Sequence, residues 1–246
     1  MKAPGVGRRA PGLGCLTAIV LLAAVSSASA QSVASLFTSL PSDFAHLFTP
    51  PNGIIAGVGG AGSAAIHSKD DEIAAHVYQA SGGRRDFFRA GATIGDGIEQ
   101  SGFALGTYVV GRLAHQPGVT SLGADLVDAQ IVNGVITQGI KGATHRTRPS
   151  GGKRSFPSGH TSATFATAAV IQEHYGWKAG APFYALGTYV SMNRLVENKH
   201  WASDVIFGTA IGIVSGRAAS LGHVPRRVSL APAMLPRGLA VVGSLR

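Results

Sequence analysis

From about residue 86 to residue 220 the apolar positions recur every third or fourth residue, without strand-like alternation, so the pattern predicts helices. The candidates run over 86–113, 123–144, 160–175, 182–194 and 201–220. Ahead of them, 53–68 is rich in Gly and Ala, and side chains that small let helices approach closely. Lys69-Asp70-Asp71-Glu72 then reads as a solvated turn. Residues 31–52 carry Phe37, Phe44, Phe48 and three prolines, an irregular entry segment expected to pack a few aromatics onto the body. Two apolar runs, 228–235 and 238–245, flank Pro236-Arg237; with Pro232 and Gly238 nearby, a small β-hairpin or an extended arm fits better than another helix. The fold expected is all-α: a bundle of about five to six helices with its site between them.

Length and charge narrow the class. At 246 residues the chain supports one well-buried domain, and no shift in composition marks a second. Lys2, Arg8 and Arg9, the apolar stretch 13–25 and Ala28-Ser29-Ala30 have the order of an export signal over 1–30, giving a mature start at Gln31 in the periplasm or cell envelope; a retained anchor is the rival. The domain then spans 31–220, and 221–246 is a basic, Pro-containing extension. Cys15, the only cysteine, leaves with the signal. Subtracting Lys2, Arg8 and Arg9 from the formal +9 leaves +6, a balance suited to anionic substrates or an anionic membrane surface. No basic run is interleaved with aromatics, so nucleic acid is not an expected partner. After residue 30 no helix candidate offers eighteen consecutive apolar residues, which favours a soluble or peripherally attached bundle over an embedded one.

Three clusters hold the candidate chemistry: Lys141 with Arg148-Pro149, then Pro157-Ser158-Gly159-His160, then Arg194, His200 and Asp204. Three cations suit an oxyanion of about two negative charges, and two histidines suit a reaction needing a nucleophile and a proton donor. Ser158 stands where a helix N-cap belongs, so amides near Gly159 and the Ser158 hydroxyl could hold phosphate oxygens. His200 and Asp204 are four apart, which on a helix places both on one face and lets the carboxylate orient the imidazole. Alone, the tetrapeptide describes an ordinary turn before a helix, and the His–Asp pair a surface pair. The constellation carries the inference. His46, His67, His76, His115, His145, His174 and His223 have no motif partners, and His145, Arg146, Lys153 and Arg154 read as exposed loop charges that could touch a headgroup.

Six residues separate Lys141 from Arg148, nine separate Arg148 from Ser158, and five separate Arg194 from His200. This order resembles the type 2 phosphatidic acid phosphatase family, whose signature is shared with vanadium haloperoxidases and class A acid phosphatases. Asn193 stands where that family usually has Ser, with a small effect on phosphate binding expected. The resemblance implies a phosphohistidine at His200, with His160 protonating the leaving alkoxide and then activating water. Asp204 orients His200, while Lys141, Arg148, Ser158, Gly159 and Arg194 bind phosphate. No metal or cofactor is implied. The substrate expected is a phosphate monoester, a lipid phosphate such as phosphatidic acid or an isoprenoid phosphate favoured. A soluble class A-like phosphatase, a vanadate-dependent haloperoxidase and a non-enzymatic protein binding anionic lipid are the alternatives.

Overall fold

In the computed structural model, residues 37–80, 83, 85–221, 228–235 and 238–245 are described. The expected export signal, Cys15 and the start at Gln31 lie outside them.

The helices are α1 (Leu40–His46), α2 (Pro50–His67), α3 (Asp70–Ala80), α4 (Arg85–Phe88), α5 (Ala90–Ile94), α6 (Gly97–Leu113), α7 (Pro117–Thr144), α8 (Gly159–Tyr175), α9 (Trp177–Val196) and α10 (Ala202–Ser220). After them β1 (Val228–Leu235) pairs antiparallel with β2 (Gly238–Leu245), Leu235 opposite Gly238. The helical body carries the fold, and the all-α class holds.

The expected five to six helices is too few, for local reasons. Instead of being irregular, the entry segment folds as α1 and the start of α2, because Pro41 and Pro50-Pro51 sit in first turns, where a missing N–H costs nothing. Phe37 and Phe48 stay exposed there, while Asp43 and Asn52 are buried. Asp70 opens α3 instead of lying in a solvated turn, and it is only 3% exposed. The segment 86–113 breaks into α4, α5 and α6: Asp96 leaves helical geometry and its carboxylate caps α6 by accepting from Ile98 N at 2.9 Å. Finally, α9 starts five residues before Pro182, which sits inside it. Packing carries the helix through, since Gly180 abuts Gln172 and Gly187 abuts the Phe165 ring, both on α8.

The centre of the bundle is α8. Every residue from Thr161 to Ile171 is buried, as expected of a helix surrounded on all sides, by α7, α9 and α10 with α6 at one edge. Its side chains are mostly Ala, Thr and Ser, so neighbours come close and the hydroxyls find partners inside: Thr167 donates to Gln100 Oε1 at 2.6 Å, and Gln130 donates to Thr167 at 3.0 Å. Gly208, Gly212 and Gly216 on α10 form a row facing the carbonyls of Ser158, Ser162 and Ala166 on the α8 side. A Cβ at Gly208 would lie 2.8 Å from Ser158 O, and at Gly212 it would strike Ser162 O. This row seats the start of α8 against the start of α10, where two of the three motif clusters end. Gly212→Val is therefore expected to destabilise the chain by at least about 1–3 kcal/mol, read as a lower midpoint in chemical denaturation; an unchanged midpoint would show that the helices have slack here.

Among the described residues no helix is long and apolar enough to cross a membrane.

Candidate active site

The three clusters converge at the starts of α8 and α10 and the ends of α7 and α9. Lys141, in the last turn of α7, is buried, and its ammonium donates to the carbonyls of Arg154 at 2.7 Å and Ser155 at 3.2 Å. Its Cε lies 3.8 Å from where a Gly159 side chain would begin, so Gly159 leaves room for the lysine at the helix start. Arg148 is in the following loop, its backbone fixed by bonds to Gly151 and Gly152 and its Nε buried without a protein partner. Arg194, in the last turn of α9, donates to Asn193 Oδ1 and, at 2.9 Å, to Glu197.

Ser158 is the N-cap residue of α8, but its hydroxyl donates to Thr161 Oγ1 at 2.9 Å instead of capping the backbone. The first-turn amides of Gly159, His160 and Thr161 are thereby left for another acceptor, at the positive end of the helix dipole.

His200 and Asp204 do pair, Nδ1 to Oδ2 at 3.3 Å, but not as neighbours on one helix face. His200 precedes the helix, Trp201 is its N-cap, and Asp204 is the third helical residue, its Oδ2 also accepting from Trp201 N at 3.0 Å. The turn at the helix start, not the helical repeat, brings ring and carboxylate together. An ionised carboxylate only accepts, so Nδ1 carries the proton and Nε2 keeps its lone pair.

Asp204 is fully buried and held on every side. Ser155 Oγ donates to Oδ2, and Arg146 donates to Oδ1 at 2.6 Å. Arg146 also reaches Ser203 Oγ at 2.7 Å and Asp70 Oδ2 at 2.7 Å, while Asp70 accepts from Ser203 N at 3.0 Å. The expectation that Arg146 is an exposed loop charge is therefore corrected: its side chain is 20% exposed and joins two buried carboxylates. Asp70, Ser155, Ser203 and Arg146 are site residues that the sequence reading passed over. Only the nearness of Arg146 to Arg148 could have singled one out. Beside this network, Gly60, Ala64, Phe156 and Phe207 wall a cavity of about 550 Å³ that Arg146 and Ser203 also line.

The electrostatics are those of a cation-rich, buried site. Burial, then the Arg148 charge, bring the Lys141 ammonium down to about 8. Burial, then Arg194, bring His160 to about 4, and burial opposed by the Asp204 hydrogen bond brings His200 to about 4. Burial also lowers Arg194. Burial alone would raise Asp204, but hydrogen bonds from His200, Ser155 and Trp201 outweigh it and hold the carboxyl below its usual range.

These shifts fix a pH dependence. An unfolded histidine takes its proton near 6.5 and the folded ones near 4, so between those values the unfolded chain binds more protons. Stability of the unliganded chain should fall as pH falls from about 6.5 toward 4, by about 3 kcal/mol for His200 and less for the partly exposed His160. Asp204 adds its loss only below 3.8. Denaturation midpoints that stay flat across this window would contradict neutral, buried rings.

Helical bundle, cation clamp and oriented histidine together define a class. Residues 135–227, which include all three clusters, match the model of the PAP2 superfamily. Two of the proteins that the chain is similar to are phosphatases of lipid phosphates by name. Lipid A 1-phosphatase of Porphyromonas gingivalis is 37% identical over 98 residues, 38% of this chain and 22% of that protein, so the chain spans about a fifth of the length of that relative. The crystal structure of Aquifex aeolicus LpxE covers 60% of this chain and 92% of its own, with a TM-score of 0.50 at 22% identity. That of the first transmembrane PAP2 type phosphatidylglycerolphosphate phosphatase, from Bacillus subtilis, covers 76% and 93%, with a TM-score of 0.51 at 18% identity. At such identities the two structures speak for the fold.

Proposed function

We propose that the chain is a phosphatase for phosphate monoesters that works through a phosphohistidine on His200 and needs no metal for the transfer. The observation that supports this best is the oriented His200 ring: Asp204 holds Nδ1, leaving Nε2 free beside Lys141 and Arg148, whose charges its proton affinity registers. In the first step Nε2 bonds to phosphorus as the bond to the leaving oxygen breaks, and that oxygen takes a proton from His160. In the second, water gives a proton back to His160 and attacks phosphorus, the P–N bond breaks, and inorganic phosphate leaves. Lys141, Arg148 and Arg194, with the amides at Gly159, neutralise charge on the three non-bridging oxygens, the two arginines through planar forks. Ser158 serves the same anion when its hydroxyl turns from Thr161 Oγ1 toward a phosphate oxygen. The dianion also offsets the Arg194 charge that adds to burial in depressing His160, which favours the protonated acid as substrate binds.

We assign the substrate class as amphiphilic phosphates, lipid A and phosphatidylglycerol phosphate being the kinds of molecule named for the relatives. Support comes from exposed Ile54 and Val58 on α2. In the same reading 1–30 is an export signal, 31–220 the phosphatase domain in the cell envelope, and 221–246 a basic extension. The test is a substrate panel on the purified chain with excess chelator. Turnover that survives chelation, competitive inhibition by vanadate and higher kcat/KM on dispersed lipid phosphate than on a sugar phosphate are expected. Activity restored only by a divalent ion would overturn the chemistry, and equal efficiency on both substrates would overturn the substrate class.

A further inference from the structure

We propose that Asp96 is a positioning residue for His160, its carboxylate facing the imidazole from the start of α6 and keeping that ring able to carry a proton among cations. The inference rests on reading His160 as the proton donor. Asp96 has two oxygens with separate tasks. Oδ1 accepts from Ile98 N at 2.9 Å and caps α6, which fixes the carboxylate on a helix start. Oδ2 lies 3.8 Å from His160 Nε2, too far for a hydrogen bond but within ion-pair reach.

The backbone is shaped for this approach. Gly95 sits where the chain turns from α5 into α6, and a Cβ there would lie 3.0 Å from His160 Cβ and strike Val190. The Ala92 backbone of α5 also favours the protonated form of the same ring, so α5 and the start of α6 both act on the imidazole. The charged and titratable groups acting on His160 are Arg194 at the end of α9, His200 before α10, and Asp96. Arg194 and His200 disfavour the imidazolium; Asp96 favours it. During the reaction Asp96 takes no proton. The proton passes from His160 to the leaving oxygen and returns from water, while the carboxylate stays ionised. Asp96 also acts on Arg194, so it tempers one arm of the phosphate clamp as well.

Capping and charge separate in one substitution, because Asn caps a helix about as well as Asp but carries no charge. Full-length Asp96→Asn would be compared with wild type on p-nitrophenyl phosphate and on an alkyl phosphate, and the His160 ring titrated by NMR, its signal identified by its loss in His160→Gln. The expected result is an unchanged melting temperature, with a kcat/KM on the alkyl phosphate about tenfold lower and on the aryl phosphate less than about threefold lower. The alkaline limb of the pH profile should move to lower pH, and the ring should titrate lower than in wild type. An unchanged substrate ratio with an unchanged His160 titration would overturn the role of Asp96, even where wild-type turnover and its loss in His200→Ala uphold the phosphatase. If wild type hydrolyses neither ester, the phosphatase reading falls, and the ring titration still decides whether Asp96 sets the proton affinity of His160.

Discussion

His200→Ala is expected to remove turnover of every phosphate ester, whereas His160→Ala should discriminate sharply by leaving group. The first variant lacks the atom that bonds to phosphorus, so no substrate rescues it. The second lacks only the proton donor. An alkyl phosphate, whose alkoxide must be protonated as it departs, should lose roughly a hundred- to ten-thousand-fold, while an activated aryl phosphate should retain much of its rate in the first step. The first step is read by kcat/KM and by pre-steady-state bursts on the two esters. Equal losses on both would contradict the assignment of His160, and residual turnover in His200→Ala would contradict that of His200.

The second large effect concerns a residue that touches no substrate atom in this account. Arg146→Ala should cost about 3–5 kcal/mol of stability and at least tenfold in kcat, because it strands Asp70 and Asp204, 3% and 0% exposed, as buried carboxylates without their cation. Asp204 Oδ1 would then be buried without its donor, which loosens the carboxylate that orients the His200 ring. Arg146→Lys keeps the charge but not the fork that reaches both carboxylates, so an intermediate loss is expected. Denaturant midpoints with kcat on the aryl ester check both. A stability change under about 1 kcal/mol for the alanine variant would show that surrounding donors already satisfy the two acids.

How far the sequence foretold this site depended on the kind of signal each residue left. Lys141, Arg148, Ser158, Gly159, His160, Arg194, His200 and Asp204 were legible because their order and spacing form one pattern, and the helices on either side follow from apolar periodicity. Asp70 was not, because a Lys-Asp-Asp-Glu run looks like a solvated turn, and only the fold brings α3 to the start of α10. Asp96 appeared merely as a charge interrupting an apolar stretch, yet that interruption is the cap that divides α5 from α6 and faces His160. The His200–Asp204 pairing came out right through the wrong geometry: residues four apart meet on a helix, but here they meet across its N-terminal turn. Asn193, expected to affect phosphate binding only slightly, accepts from its neighbour Arg194 through Oδ1, and its Nδ2 is buried without a protein partner. Local spacing thus picked out residues that the fold brings together, while the contacts of Arg146 with Asp70 and Asp204 join residues more than fifty apart.

The central claim is that phosphorus bonds to His200, and the most direct test is to trap that bond. In His160→Ala turning over an aryl phosphate, the first step proceeds with little help while water lacks its base, so the intermediate should accumulate. Rapid quenching at alkaline pH and peptide mass spectrometry should then find one phosphoryl group on the peptide containing His200, acid-labile and absent from the His200→Ala chain. Sustained turnover by His160→Ala with no phosphoryl group on that peptide would contradict the account.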